Sequence, residues 1–387
     1  MLFSKLIYFS WKSTASVLPT LRGIRGFSRF ATIHENNSNG SDSRISIGIV
    51  GTGAIGSYYG ARLWERRDLY NVKFHMRSAE NFDACQDHGL QVKSIHGDIF
   101  IPPSDLQAYR TTDEMGKVDW VVLALKSSAL PCIPTLVKPL LRKKTRVLAI
   151  MNGLIDDDLV ELLRTISLEE NDVATKEKRD LPCAAVYGGM AFIGANRLRP
   201  GFVEHSDEGS LLGGIAAISK PEEDEEEELK ALVELWKPTK VKFTEERLVI
   251  RGRWIKNCWN LPFNSVSCAM GGTLTIDKIV RDPSLRKLAN DIMDETIAIA
   301  NADLASRGVS SSMLLGDQLK TQMWLITDKM GPYKTSTMLD LLQRRPMEVK
   351  YLFRRPLEIA ENLNIAAPKL EALTLQIEGL QRHYGLF

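Results

Sequence analysis

The sequence predicts an α/β domain followed by an all-helical domain, and three observations carry that expectation. Short β-branched runs alternate with helical stretches from Arg44 onward. A glycine-rich turn follows the first of these runs, and beyond Glu245 only helical periodicity remains. The expected organisation is a presequence with linker over 1–43, an α/β domain over 44–245 and a helical domain over 246–387.

The presequence reading rests on MLFSKLIYFSWKSTASVLPTLRGIRGFSRFATIH, which holds Lys5, Lys12, Arg22, Arg25 and Arg29 and no acid before Glu35. Basic, serine-rich, acid-free composition suits an organelle transit peptide. RGFS, Arg25 to Ser28, has the form of an arginine-led processing site, which favours the mitochondrion over plastid or cytoplasm. ENNSNGSDS then reads as a flexible joint.

In the order of the chain, ISIGIV (45–50) is a buried parallel strand and a helix follows from about Ala54 to Arg66. VKFHM (72–76), VDWVVLAL (118–125) and RVLAIM (146–151) are the next strands, with SALPCIPTLVKPLL as a proline-bearing crossover. Such alternation implies a parallel sheet with right-handed crossovers. LPCAAVYGGMAFIGA and FVEHSDEGSLLGGI are strand-like and glycine-punctuated. The acidic run Glu222 to Glu228 reads as a solvated helix start, where acids suit the macrodipole, and VKFT (241–244) as a last strand. Helices are expected near 246–270, 283–307, 311–330, 335–343, 347–364 and 368–383.

Of the 387 residues 44% are hydrophobic and 25% charged, and the net charge is +2. Nothing there selects a nucleic acid or a membrane surface as partner, and no apolar run approaches the roughly 18–20 residues of a spanning helix. The five cysteines are scattered, without CxxC or metal-ligand spacing, so reduced thiols and no metal are expected. The apolar faces of the helical domain allow a homodimer.

GTGAIG, spanning Gly51, Thr52, Gly53, Ala54, Ile55 and Gly56, directly follows a buried strand and opens a helix. In that context it is a dinucleotide-binding turn of Rossmann type. Gly51 permits the tight turn, Gly53 lets a pyrophosphate approach the backbone, and Gly56 lets helix and strand pack closely. The helix N-terminus offers free N–H groups to phosphate. At the end of the second strand, where an NAD site carries an acid, HMRSAE places Arg77 and Ser78. A cation and a hydroxyl suit a 2′-phosphate, so NADPH is the expected cofactor; a solvated strand-end charge is the alternative. Lys126 ends the third strand and Asn152 the fourth, in MNGL, on the same carboxyl edge. Asn152 can also be read as a helix cap.

In RWIKNCWNLPFN, residues 253–264, Lys256, Asn260 and Asn264 recur every four residues among apolar ones. They share one helical face, which is either a solvated stripe or a row of polar groups aimed at something small.

IGIVGTGAIGSYYGARL, ALKSS, MNGL, KNCWNLPFN and STMLDLLQRRPMEVKYL, in this order and spacing, resemble the ketopantoate reductase (2-dehydropantoate 2-reductase) family from about Arg44 to Gln381. The resemblance implies a Rossmann domain, a helical domain like the C-terminal one of 6-phosphogluconate dehydrogenase, and a site in the cleft between them. It implies NADPH-dependent reduction of 2-dehydropantoate, a small 2-oxo acid, to (R)-pantoate on the route to pantothenate and coenzyme A. Another 2-oxo acid reductase or a non-catalytic NADPH sensor are the alternatives. By this resemblance Arg77 and Lys126 contact the 2′-phosphate, and Asn152 lies near nicotinamide and substrate. Lys256 is the general acid and Glu348 its catalytic carboxylate, while Asn260, Asn264 and Ser336 bind substrate. Thr337 and Met347 depart from the family pattern, and the bulky Trp259 and Phe263 are expected to reshape the pocket.

Overall fold

The computed structural model of the chain describes residues 43–166, 180–219 and 225–386. The expected presequence, Ser43 apart, and the start of the acidic run lie outside the described residues.

The strands are β1 (Ile45–Val50), β2 (Tyr70–His75), β3 (Leu90–Ser94), β4 (Ile99–Ile101), β5 (Gln107–Tyr109), β6 (Trp120–Leu123), β7 (Arg146–Ile150), β8 (Ala185–Arg199), β9 (Phe202–Ile218) and β10 (Phe243–Glu245). They form one sheet in the order β4-β3-β9-β8-β7-β6-β1-β2-β5, with β10 beside β9. β2, β1, β6, β7 and β8 run parallel, as expected. The sheet as a whole is mixed, which corrects the expectation of a parallel one. β8 and β9 are antiparallel because only Pro200 and Gly201 join them, with Gly201 at φ +70. A two-residue loop can only reverse the chain, whereas parallel pairing needs a crossover of a dozen residues or more. β3 and β4 also pair antiparallel. β3, β4 and β5 carry no sequence signal of their own: they are short runs that pair with longer strands.

The helices beside the sheet are α1 (Ala54–Trp64), α2 (Ala79–His88), α3 (Ile133–Val137), α4 (Asp156–Arg164) and α5 (Glu225–Trp236). Ile47, Ile49, Tyr59, Phe74 and Trp236 pack one face, and Val50, Val121, Leu123, Ile133 and Val147 the other. β1 is therefore covered on both sides, which explains its uninterrupted apolar run.

The helical domain comprises α6 (Val249–Ala269), α7 (Ile276–Arg281), α8 (Pro283–Ser306), α9 (Asp317–Thr327), α10 (Ser336–Leu342), α11 (Arg355–Asn362) and α12 (Pro368–His383). α6 is its centre, packed on α8, α10 and α12, and it runs unbroken through Pro262. Trp259 and Phe263 belong to this core, 5.1 Å apart by ring centroids, and Trp259 Nε1 donates to Thr327 at 3.0 Å. Both rings fill the interior beside Trp324 and Tyr333.

A π-helical turn, Lys350–Arg354, precedes α11. Its register has the Arg355 N–H donating to Lys350 O. The next donor in that register is residue 356, a proline without an N–H, so Tyr351 O is left to the Leu154 N–H at 3.1 Å. This bond docks the turn after β7 onto the helical domain. Gly153, at φ +86, lies so close that a Cβ would stand 2.6 Å from the same carbonyl.

Candidate active site

The glycine turn has three separable constraints. Gly51 sits at φ +100, and a Cβ there would lie 2.7 Å from Ala124 O. A Cβ on Gly56 would lie 2.1 Å from Gly51 O, so this glycine lets α1 close on β1. A Cβ on Gly53 would meet nothing within 4 Å. The space at Gly53 is open and lies beside the first-turn amides of Ala54 and Ile55, which no side chain caps. The Thr52 hydroxyl is buried and donates to His75 O at 2.8 Å, tying the turn to β2 and leaving its backbone for a ligand.

The order β7-β6-β1-β2 places the ends carrying Asn152, Lys126, Gly51 and Arg77 in sequence along one edge. Three strand spacings span roughly 14 Å, enough for an extended dinucleotide. Arg77 is exposed beside the N-terminus of α2, where Ser78 accepts from the Asn81 N–H at 3.4 Å as helix cap. A cation next to a helix N-terminus suits a phosphate. Lys126 does not join it. β6 and β2 flank β1 on opposite sides, and Lys126 Nζ is 2.8 Å from Asp340 and donates to Pro346 O at 3.0 Å. The Lys126 ammonium thus faces the helical domain, apart from Arg77.

The centre of the site is Lys256. Its Nζ donates to Asn152 Oδ1 and to Ala191 O, both at 2.8 Å, leaving one of three ammonium donors free. Phe192 covers it at 5.7 Å. Asn152 Nδ2 donates to Glu348 Oε2 at 3.3 Å, and the Ser127 N–H donates to Glu348 Oε1 at 2.7 Å. Glu348 thus reaches Lys256 through Asn152 rather than directly. Burial pushes the Lys256 ammonium down to about 7, the Arg253 cation adds to that, and Glu348 opposes it. A lysine so poised can release its proton near neutral pH.

The stripe on α6 divides. Asn260 is buried, and its amide has no hydrogen-bond partner among the described residues. Asn264 Nδ2 donates to Asn260 O at 2.9 Å, and its Oδ1 accepts from the Thr337 N–H at 3.1 Å and from Ser336 Oγ at 3.4 Å. Asn264 therefore holds the N-terminus of α10, with its amide oxygen and nitrogen both engaged within the fold. Four residues advance a helix by roughly 40° beyond a full turn, so Asn264 points roughly 80° away from Lys256. Ser336 is exposed, with its one long bond to Asn264. Asn264→Ala is expected to cost roughly 1–3 kcal/mol by stripping these donors, read as a lower denaturation midpoint. Asn260→Ala should leave that midpoint unchanged.

Sequence reasoning missed Arg253 and Asp156. Arg253, 2% exposed, forms a buried pair with Asp156 at 2.8 Å across the domain junction. The available signal was a cation directly before Trp254 and Ile255 in a helix expected to be largely buried, where burial obliges a charge to be paired. Asp340, shared by Lys126 and Arg345, was also missed.

Residues 47–217 match the family described as "Ketopantoate reductase PanE/ApbA", and residues 249–381 match "Ketopantoate reductase PanE/ApbA C terminal". A 2-dehydropantoate 2-reductase of Nostoc sp. is 27% identical over 333 residues, covering 86% of this chain and 94% of that protein. The crystal structure of 2-dehydropantoate 2-reductase from Geobacter metallireducens superposes with a TM-score of 0.72 at 30% identity, covering 87% of this chain and 99% of the other. A D-mandelate dehydrogenase solved with NADH and anilino(oxo)acetate shares the fold, with a TM-score of 0.71 at 18% identity, covering 89% of this chain and 100% of that one.

Proposed function

The chain belongs to the ketopantoate reductase family, and we propose that it reduces 2-dehydropantoate to (R)-pantoate with NADPH. One observation carries this reading: a lysine poised near neutrality, bonded to Asn152 at the end of β7, beside a glycine turn open at Gly53. The residues present fit the dinucleotide. Gly51, Gly53, Ala54, Ile55 and Gly56 would hold its pyrophosphate and Arg77 its 2′-phosphate. The cofactor supplies the hydride when bound.

The chain's own residues supply the rest. Asn152 and Ala191 O fix the Lys256 ammonium so that its third N–H meets the substrate ketone oxygen. There it stabilises the developing alkoxide and delivers the proton. Glu348 fixes Asn152 and keeps part of the positive charge on Lys256. The free Asn260 amide and the exposed Ser336 hydroxyl are neutral donors for the substrate carboxylate.

The test is a steady-state comparison of 2-dehydropantoate and 2-oxoisovalerate with NADPH and NADH. A clear kcat/KM preference for 2-dehydropantoate with NADPH is expected; equal values would sink the substrate assignment. Arg77→Ala is expected to raise KM for NADPH about 10–100-fold through loss of a charge-assisted bond, with NADH unaffected. An equal effect on both cofactors would remove Arg77 from the 2′-phosphate.

A further inference from the structure

We propose that Arg253 is a positioning residue of this site: clamped by Asp156, it holds the strand ends that carry both acceptors of the Lys256 ammonium. The inference rests on the function proposed above.

The guanidinium spends every donor it has. Nε donates to Asp156 Oδ2 and Nη2 to Asp156 Oδ1, each at 2.8 Å. Nη1 donates to Met151 O and, at 3.4 Å, to Gly189 O, and Nη2 to Ala149 O at 3.4 Å. Ala149 and Met151 lead into Asn152, whose Oδ1 accepts from Lys256. Gly189 lies two residues before Ala191, whose carbonyl is the other acceptor. One buried fork thus pins β7 and β8 at the two places from which Lys256 is held. Arg253 and Lys256 are three residues apart on α6, so the same helix carries both the clamp and the group it serves.

The fold makes room for the pair. A Cβ on Gly188 would stand 2.7 Å from Asp156 Oδ1 and 3.1 Å from Arg253 Nη2. Lysine cannot replace the fork, because its donors radiate from one point. The charged groups acting on Lys256 are Arg253, from its own helix, and Glu348, from the segment before the π-helical turn. Arg253 lowers the proton affinity of Lys256 and Glu348 raises it, so the clamp also supports proton release.

Two variants test this. Arg253→Lys keeps the charge and loses the fork; Arg253→Met with Asp156→Leu removes both charges, so no buried ion is stranded. Both are expected to fold by circular dichroism and to bind NADPH within about threefold of the parent. Turnover of 2-dehydropantoate is expected to fall about 30–100-fold with KM nearly unchanged, as for a misplaced reacting group. Labelling of Lys256 by acetic anhydride against pH, mapped by mass spectrometry, reads its titration without any substrate. Its midpoint, about 7 in the parent, should rise in the double variant and stay in Arg253→Lys. Unchanged turnover in either folded variant overturns the proposal, as does a loss of turnover matched by an equal loss of NADPH affinity. If the parent reduces no 2-oxo acid, the proposed function fails while the labelling midpoints still decide whether Arg253 acts on Lys256.

Discussion

Lys256→Met is expected to lower kcat for 2-dehydropantoate about 10²–10⁴-fold, the usual weight of a positioned acid, while NADPH affinity stays within about threefold. The variant should fold. Removing the ammonium relieves the burial that depresses it, and strips Asn152 Oδ1 and Ala191 O of a donor. These effects oppose, so the melting temperature should move by a few degrees at most. The parent's pH profile follows from the sign of the shift. The acid must carry its proton to act, so kcat/KM should be flat below about 7 and fall tenfold per unit above it. Glu348 favours the charged form, so Glu348→Gln should move the falling limb to lower pH. A profile flat to roughly pH 9 would remove Lys256 as the proton donor.

Gly56→Ala and Gly53→Ala should separate folding from binding within one turn. At Gly56 the added methyl would lie 2.1 Å from Gly51 O and 3.1 Å from the Ala124 Cβ. The first neighbour is backbone, which yields only if α1 lifts from β1, so a loss of about 3–5 kcal/mol is expected in chemical denaturation. At Gly53 no atom lies within 4 Å, and the variant should melt with the parent. Its methyl would instead occupy the approach of the pyrophosphate, raising the NADPH Kd by about tenfold or more, measured by fluorescence titration. Normal NADPH binding by Gly53→Ala would show that the cradle lies elsewhere.

The sequence by itself determined the strand–turn–helix at GTGAIG, the parallel strands β1, β2, β6 and β7, and the order of the helices from Val249 onward apart from the short α7. It also marked the stretch that contains Lys256. These are local properties: periodicity, glycine at positive φ and proline at a helix start are settled by neighbours in the chain. The tertiary structure alone decided what each member of that stretch meets. Lys256 finds Asn152 across 104 residues, whereas Asn264 is taken by the start of α10 across 73. A four-residue repeat cannot distinguish these fates, because its members drift around the helix and each meets a different neighbour. The same holds for Lys126, which shares an edge with the glycine turn but is drawn to Asp340, and for Arg253, which reads as one more helix residue until burial supplies Asp156. Hydrogen bonds and charge pairs are decided by what lies within about 3 Å, and at a domain junction that depends on how two independently patterned units pack.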